Sequence, residues 1–578
     1  MPKRIGKYLK GYGRESVLGP LFKLLEASFE LLVPLVVAAM IDGGIGGNDT
    51  AYVWKMGGLL VLLGVAGLAF SITAQYFAAR AAVGFAGRLR EALYERITKL
   101  SPAQLDTIGA SKLTQRLTGD VDTVQSGLNL ALRLMLRSPF VVFGAMIMAF
   151  VVDVKSALVF AVAIPVLSVI VFGVMALSIP LFRKSQSSMD AVLGAVRENL
   201  SGVRVIRAFC REEEENARFA SSAETLSQRR RSAGRVSALT NPLTGIVINL
   251  ALVMLIRRGS LRVDAGAISQ GELVALVNYM SQILVELIKL ANLIVSVTKA
   301  VACFGRVQSV IDLPEDLTDR EMQKSLDESA EVAVRFDHVF LTYPGAGAPS
   351  LTDISFTAHR GETVGIVGPT GSGKTSLVHL IPRFYDATEG SVQFFGSDVK
   401  EIPIQDLRAK IGVVPQKTVL FSGSILENIR WGKANAAEEE AMSALRDAQG
   451  TDIIAAKAEG MNAEAGNRGN RLSGGQRQRI AIARAMVRKP EILILDDSAS
   501  ALDFQTDARL RAAIRARQGK ETVFIVSQRA SSVRYADIIL VMDEGRVTAS
   551  GTHDELMRES PLYREIYFSQ FPEGEQYA

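Results

Sequence analysis

A chain of 578 residues exceeds what one ordinary hydrophobic core accommodates, so at least two domains are expected. Its composition, 48% hydrophobic with mean hydropathy +0.21, conceals a division between long apolar runs over roughly the first 300 residues and an ordinary soluble α/β pattern after them. The net charge of +5 points away from nucleic acid, because Lys and Arg cluster beside the apolar runs as on cytoplasmic membrane flanks, and the two cysteines, Cys210 and Cys303, imply no disulfide framework.

The opening MPKRIGKYLKGYGR is basic and enters an apolar run with no convincing small-residue cleavage site, so it is read as retained. Six apolar segments centred near Val33, Leu63, Phe143, Val169, Val247 and Leu284 are long enough to cross hydrocarbon as helices. The gaps after the second and fourth are long, polar and helix-prone, which predicts helices that continue beyond the membrane. Arg80, Arg88, Arg90, Arg96 and Lys99 in the first gap, and Arg183, Lys184, Arg204, Arg207 and Arg211 in the second, put both gaps and both termini on the cytoplasmic side. Arg257, Arg258 and Arg262, between the fifth and sixth segments, run against that rule.

Ionisable side chains inside a span are costly and therefore informative. Lys23, Glu26 and Glu30 lie in the first segment, Glu286 and Lys289 in the sixth, with 26 and 30 on one helix face and 286 and 289 on another. They are read either as a polar, water-accessible translocation cavity built on Glu26, Glu30, Glu286 and Lys289 and favouring cationic or amphipathic cargo, or as intramembrane salt bridges and snorkelling groups. Asn241, Asn249, Asn278 and Asn292 add polar lining.

Around 313–331 the chain turns acidic and polar, LPEDLTDREMQKSLDESAE, as a linker does. From Val332 short β runs alternate with turns. GETVGIVGPTGSGKTSLV is a β run, then Gly368–Thr375 in the form GxxxxGKT, then a helix former. Gly368, Gly371 and Gly373 let backbone amides close around phosphate oxygens, with Thr370, Ser372 and Ser376 beside them; Lys374 supplies charge and Thr375 a hydroxyl for magnesium. Downstream come LSGGQ (Leu472, Ser473, Gly474, Gly475, Gln476) and the apolar ILILD, suited to a central buried strand that delivers Asp496 at its C-terminal end.

With these motifs in this order behind six spans, the whole chain resembles the half-transporters of the ATP-binding-cassette (ABC) exporters, in particular the degenerate-site subunit of bacterial heterodimeric multidrug exporters. The resemblance implies a membrane α-helical bundle of six transmembrane helices with long intracellular extensions, followed by an α/β P-loop ATP-binding-cassette domain. Residues 1–310 are then the transmembrane domain, 311–331 a linker and 332–578 the nucleotide-binding domain. It further implies ATP and Mg2+ as cofactors, with Tyr343 stacking on adenine and Gln416 as the Q-loop glutamine near the metal held by Thr375 and Asp496. LSGGQ faces the γ-phosphate bound by a partner subunit, and Ser498 to Asp503, SASALD, forms the D-loop. LDTIGASKLTQRLTGDVDTVQ (Leu105 to Gln125) and SGVRVIRAFCREEEENARF (Ser201 to Phe219) resemble the intracellular loops whose coupling helices dock on the nucleotide-binding domain, Phe209 being the expected apolar knob. AEAGNRGNR resembles the stretch that touches such helices but has Asn467 where Glu is usual.

Two departures bear on catalysis. Asp497 stands where the family has the Glu that polarises the attacking water, and Gln528 where it has the switch histidine. Losing a methylene draws the carboxylate back by roughly 1.5 Å, and misplacement of about 1 Å can cost around 10²-fold in rate. An amide cannot carry the protonatable imidazole's charge. Slow hydrolysis at this P-loop follows. The expectation is one half of a heterodimeric exporter in the cytoplasmic membrane, moving amphipathic or drug-like cargo with a second half-transporter, in contact with lipid and not with nucleic acid. A homodimeric lipid or peptide flippase, and a non-hydrolysing ATP-gated channel or regulatory subunit, are the competing readings.

Overall fold

The computed structural model describes residues 2–314, 317, 330–498, 501–517 and 521–570, the side chains of 2–5 excepted. Most of the linker expected at 311–331, and Ala499 and Ser500 of the expected D-loop, lie outside the described residues. The chain divides into two compact units, one of residues 1–98 and 111–313, the other of 99–110 and 314–578.

The first unit is helical: α1 (Pro2–Leu9), α2 (Gly13–Ala39), α3 (Thr50–Thr98), then, past α4 (Pro102–Ile108) of the other unit, α5 (Ala110–Gln115), α6 (Val121–Leu134), α7 (Arg137–Val152), α8 (Val154–Ala208), α9 (Glu212–Ala238), α10 (Thr240–Asp264) and α11 (Gln270–Ile311). Six stretches, Gly13–Ile45, Thr50–Thr98, Ala110–Val152, Val154–Ala208, Glu212–Asp264 and Gln270–Ile311, are long and apolar enough to cross a membrane. At 1.5 Å per residue the 55 residues of α8 reach about 80 Å, far beyond a hydrocarbon core of about 30 Å, so this helix extends well past the bilayer, as the polar gap predicts. Small residues let the helices approach closely: Ala27, Ala145, Ala149 and Ala275 are buried among Val141, Phe160, Leu255 and Ile283. The buried Tyr279 hydroxyl donates to the Leu31 carbonyl at 2.7 Å, joining α11 to α2. Helix starts are capped from within the sequence. Asp153 accepts from the Ser156 amide at 2.9 Å, and Ser269 forms a reciprocal capping box with Glu272.

The second unit carries β1 (Val332–Leu341), β2 (Leu351–His359), β3 (Thr363–Val367), β4 (Glu389–Phe394), β5 (Ser397–Asp398), β6 (Ile411–Val414), β7 (Ile492–Asp496), β8 (Thr522–Val526), β9 (Ile538–Asp543) and β10 (Arg546–Gly551). Its helices are α12 (Lys374–Leu380), α13 (Ile404–Ala409), α14 (Ile425–Arg430), α15 (Glu438–Asp447), α16 (Thr451–Ala455), α17 (Gly474–Met486), α18 (Phe504–Arg515), α19 (Ala530–Val533), α20 (His553–Glu559) and α21 (Pro561–Gln570). An antiparallel sheet runs β2-β1-β4-β5, and a six-stranded sheet runs β10-β9-β3-β8-β7-β6, parallel except for the β9–β10 pair. All five residues of β7, ILILD, are buried, because a parallel strand covered on both faces has no solvent side. Val364 of β3 pairs with Phe524 of β8, and Asp496 of β7 with Val526. The turn after β3 and the two carboxylates at the end of β7 therefore leave the same edge of the sheet, the C-terminal edge where open α/β sheets hold ligands.

Candidate nucleotide site and a charge cluster in the helical unit

Between β3 and α12 the turn 368–373 is shaped by glycine. At Gly373 (φ +94°) a Cβ would stand 2.9 Å from the Ser350 carbonyl oxygen. The following Lys374 opens α12, and its ammonium folds back to donate to the carbonyls of Gly368 at 2.9 Å and Pro369 at 2.6 Å. Burial lowers its pKa, against the opposing pull of Asp497 and Asp496. Thr375 donates its hydroxyl to Asp496 at 2.9 Å. Asp496 is 1% exposed, and burial raises its pKa while the Thr375 hydrogen bond and His379 hold it down. The His379 Nε2 lies 3.9 Å from the same carboxylate, and burial lowers that imidazole's pKa.

These groups surround a cavity of about 570 Å3 lined by Thr370, Gly371, Gly373, Lys374, Thr375 and Ser376 on one side, and by Gln416, Asp496, Asp497 and Gln528 on the other. A hydroxyl, a buried carboxylate and an amide oxygen suit a hard divalent cation, so Thr375, Asp496 and Gln416 are the residues that would hold one; such an ion supplies charge neutralisation for phosphate oxygens. Gly368 and Ser372 shape the loop without lining the cavity; Ser372 is 2% exposed.

Both departures from the family pattern lie on this cavity. Asp497 adopts φ +46°, a left-handed conformation that Asp tolerates better than most side chains; its amide donates to Val526 O at 3.0 Å and its carboxylate stands 3.4 Å from the Gln416 amide nitrogen. The backbone around Gln528 is held from outside. Gln570, the last residue of α21, donates to the Gln528 carbonyl and accepts from the Ala530 amide, each at 2.8 Å.

Tyr343 lies off the cavity wall. Its hydroxyl donates to Ser376 Oγ at 2.9 Å, and its ring meets Tyr385 edge-on at 4.9 Å. Tyr385 in turn donates to the Asp106 carboxylate of α4 at 3.0 Å, and burial first, then Asp106, raises its pKa. Sequence reasoning missed Tyr385, Asp106, His379 and Gln570. Asp106 sits inside a loop singled out by resemblance, but nothing in the pattern distinguished the other three.

The signature splits by burial. Leu472 is 5% exposed in the domain's own core: its side chain anchors the turn and its carbonyl accepts from Arg477 at 2.7 Å. Ser473 and Gly474 are exposed at the start of α17, where the Ser473 hydroxyl accepts from the Gln476 amide at 3.2 Å and Gln476 returns the bond at 2.9 Å. No residue from Leu472 to Gln476, Gly475 included, lines the 570 Å3 cavity. Ser498 is buried, and Asp503 caps α18 by accepting from the Thr506 amide at 2.9 Å, a bond that lowers its pKa.

In the helical unit, Phe209 at the end of α8 is 72% exposed beside a left-handed Cys210. The intramembrane charges are paired, through a residue that sequence reasoning did not include. Arg137, 6% exposed at the start of α7, donates to Glu30 at 2.5 Å and to Glu286 at 2.7 Å. Ser138 and Lys289 each donate to Glu286 at 2.8 Å, and Lys23 pairs with Glu26. A cavity of about 420 Å3 adjoins the cluster, lined by Glu30, Asn278, Ser281, Gln282, Glu286 and Lys289 among others. Arg137 escaped notice because it stands at the junction of a polar gap and an apolar run.

Residues 16–287 match the family model described as ABC transporter transmembrane region, and residues 351–500 match ABC transporter. The chain is 37% identical to an uncharacterized ABC transporter ATP-binding protein of Mycobacterium tuberculosis, over 98% of this chain and 97% of that protein. It is 33% identical to a probable multidrug resistance ABC transporter ATP-binding/permease protein of Bacillus subtilis, over 98% and 97%. Among solved structures it is similar to a bacterial Atm1-family ABC exporter with ATP bound, at 25% identity and TM-score 0.83, covering 97% of this chain and 99% of that one.

Proposed function

The chain belongs to the ABC transporter family, and we propose that it is the degenerate-site half of a heterodimeric exporter for amphipathic or drug-like molecules. As a member it is an ATP-hydrolysing ABC exporter whose transmembrane region is fused to its nucleotide-binding domain, a multi-pass membrane protein with that domain in the cytoplasm. The observation that carries the finer reading is that Asp497 and Gln528 line one cavity with Lys374, Thr375 and Asp496.

In this reading Lys374 and the backbone N–H groups of 370–373 bind and orient the triphosphate. Thr375, Asp496 and Gln416 hold the cation, and Tyr343 carries the adenine on its ring face. Asp497 takes the position of the base with a carboxylate one methylene short, and Gln528 orients without exchanging a proton. ATP therefore resides long in this chain's own site. The exposed Ser473 and Gly474, with Gly475 and Gln476 behind them, complete the partner's site, where hydrolysis is fast. Phe209 is the apolar knob expected of a coupling helix, and the cavity beside Glu30, Glu286 and Lys289 receives cargo.

Steady-state Mg-ATP hydrolysis tests the reading. The purified chain alone is slow, and mixing it with a half-transporter that carries Glu and His at the two positions raises turnover well beyond the sum. Equal rates with and without that partner overturn the heterodimer reading.

A further inference from the structure

Three arginines stand near the end of α10, and only one is explained by its neighbours. Arg262 donates to both oxygens of Asp153, at 2.6 and 3.2 Å. Among the described residues, neither the Arg257 nor the Arg258 guanidinium has a hydrogen bond or an ion pair, yet both line a cavity of about 730 Å3 between α8 and α10. The rest of its wall is apolar. Leu250, Met254 and Leu261 recur on the face of α10 that carries the two arginines, and Leu158, Val162 and Val166 recur at every fourth residue of α8. All six are between 41% and 67% exposed.

The position along the chain fixes the side of the membrane. The sixth span, Gln270–Ile311, leads into the cytoplasmic nucleotide unit at its C-terminal end, so its first residues, and the end of α10 before them, lie on the opposite face. Arg258 stands six residues before the end of α10 at Asp264, about 9 Å along the axis, a depth from which a guanidinium reaches the headgroup layer. A long apolar groove with two unpaired cations toward its outer end, at headgroup depth, is complementary to one kind of molecule.

We propose that this groove binds an anionic phospholipid of the outer leaflet, its phosphate on Arg257 and Arg258 and an acyl chain along Leu250, Met254, Leu158 and Val162. The assignment is independent of how the nucleotide sites are shared. It also explains why positive charge persists here against the usual cytoplasmic bias.

Native mass spectrometry of the full-length protein in detergent, titrated with phosphatidylglycerol or phosphatidylcholine, tests it. Phosphatidylglycerol adducts are expected to be retained preferentially and to weaken about 5-fold per guanidinium removed, roughly 25-fold for Arg257→Ala with Arg258→Ala. Arg257→Lys with Arg258→Lys keeps most of the preference. Val162→Trp, which fills the groove with both arginines in place, lowers binding by itself, and inorganic phosphate does not displace the lipid. Equal retention by the wild type and the double alanine variant overturns the proposal. So does displacement by inorganic phosphate, which would mark an anion site without lipid. Shielding of the Val162→Cys thiol from a lipid-soluble thiol reagent only on assembly with a second half-transporter would assign the groove to a protein partner and overturn it equally.

Discussion

The phenolic hydroxyl of Tyr385 donates to the Asp106 carboxylate at 3.0 Å while its ring meets Tyr343 edge-on at 4.9 Å, so one side chain touches both α4 and the aromatic next to the P-loop helix. A hydrogen bond to a charged acceptor contributes about 1.5–3 kcal/mol. Tyr385→Phe keeps the ring contact and removes only that bond. Amide exchange in residues 99–110 is expected to accelerate about 10-fold or more, with the Kd for ATP within about 2-fold of wild type. Unchanged exchange would show that α4 is held by its other contacts.

Asp497→Glu together with Gln528→His restores the family pair and is expected to raise turnover of the assembled transporter. The gain from Asp497→Glu alone is smaller, because the backbone at this position sits at φ +46°, where a longer side chain is less readily accommodated than Asp. Single-turnover hydrolysis on this chain's own site reads the difference, and no gain in the double variant shows that these two residues do not limit the site.

Gln570 makes two hydrogen bonds of 2.8 Å, to the carbonyl of the switch residue Gln528 and with the Ala530 amide two residues on. Gln570→Ala is expected to speed exchange of the Ala530 amide by about 5- to 10-fold, since a neutral hydrogen bond is worth about 1 kcal/mol net. Gln570→Glu, which still accepts from Ala530 but cannot donate to Gln528, should fall between the two.

Removing Arg137 leaves the buried Glu286 facing Glu30 without its guanidinium. Breaking a buried pair costs about 3–5 kcal/mol. Arg137→Met is expected to lower the thermal midpoint in detergent by several degrees, and adding Glu286→Gln should recover part of the loss. A midpoint unchanged in the single variant would mean that Glu286 is neutralised by Lys289 alone.

His553 accepts or shares a proton with the buried Tyr563 hydroxyl at 2.8 Å, and burial first, then Arg534, lowers its pKa below 6.5. The folded state therefore binds fewer protons than the unfolded chain below about pH 6.5, and stability falls as pH drops through that window toward the folded pKa. His553→Gln should flatten the pH dependence of unfolding of the nucleotide unit between about pH 7 and 5.

Much of this was legible in the residues. The six spans follow from unbroken apolar runs, and the P-loop and β7 from a fixed spacing whose glycines and carboxylates have few alternative uses. What escaped shares a physical cause: Arg137, Tyr385, His379 and Gln570 act through partners 40 to 279 residues away in sequence, and no periodicity records such pairings. Leu472 adds a detail that motif membership does not carry, namely which side chains of the signature turn inward.

Residues 99–110 sit in the compact unit that otherwise begins at 314. A gene fragment starting at Pro314 would encode every nucleotide motif yet deprive Tyr385 of Asp106 and the Pro314 carbonyl of the Gln104 amide that donates to it at 2.9 Å. A supplied 99–110 peptide or a linker-grafted copy restores both bonds, because the chain's cutting point and the molecule's cutting point do not coincide.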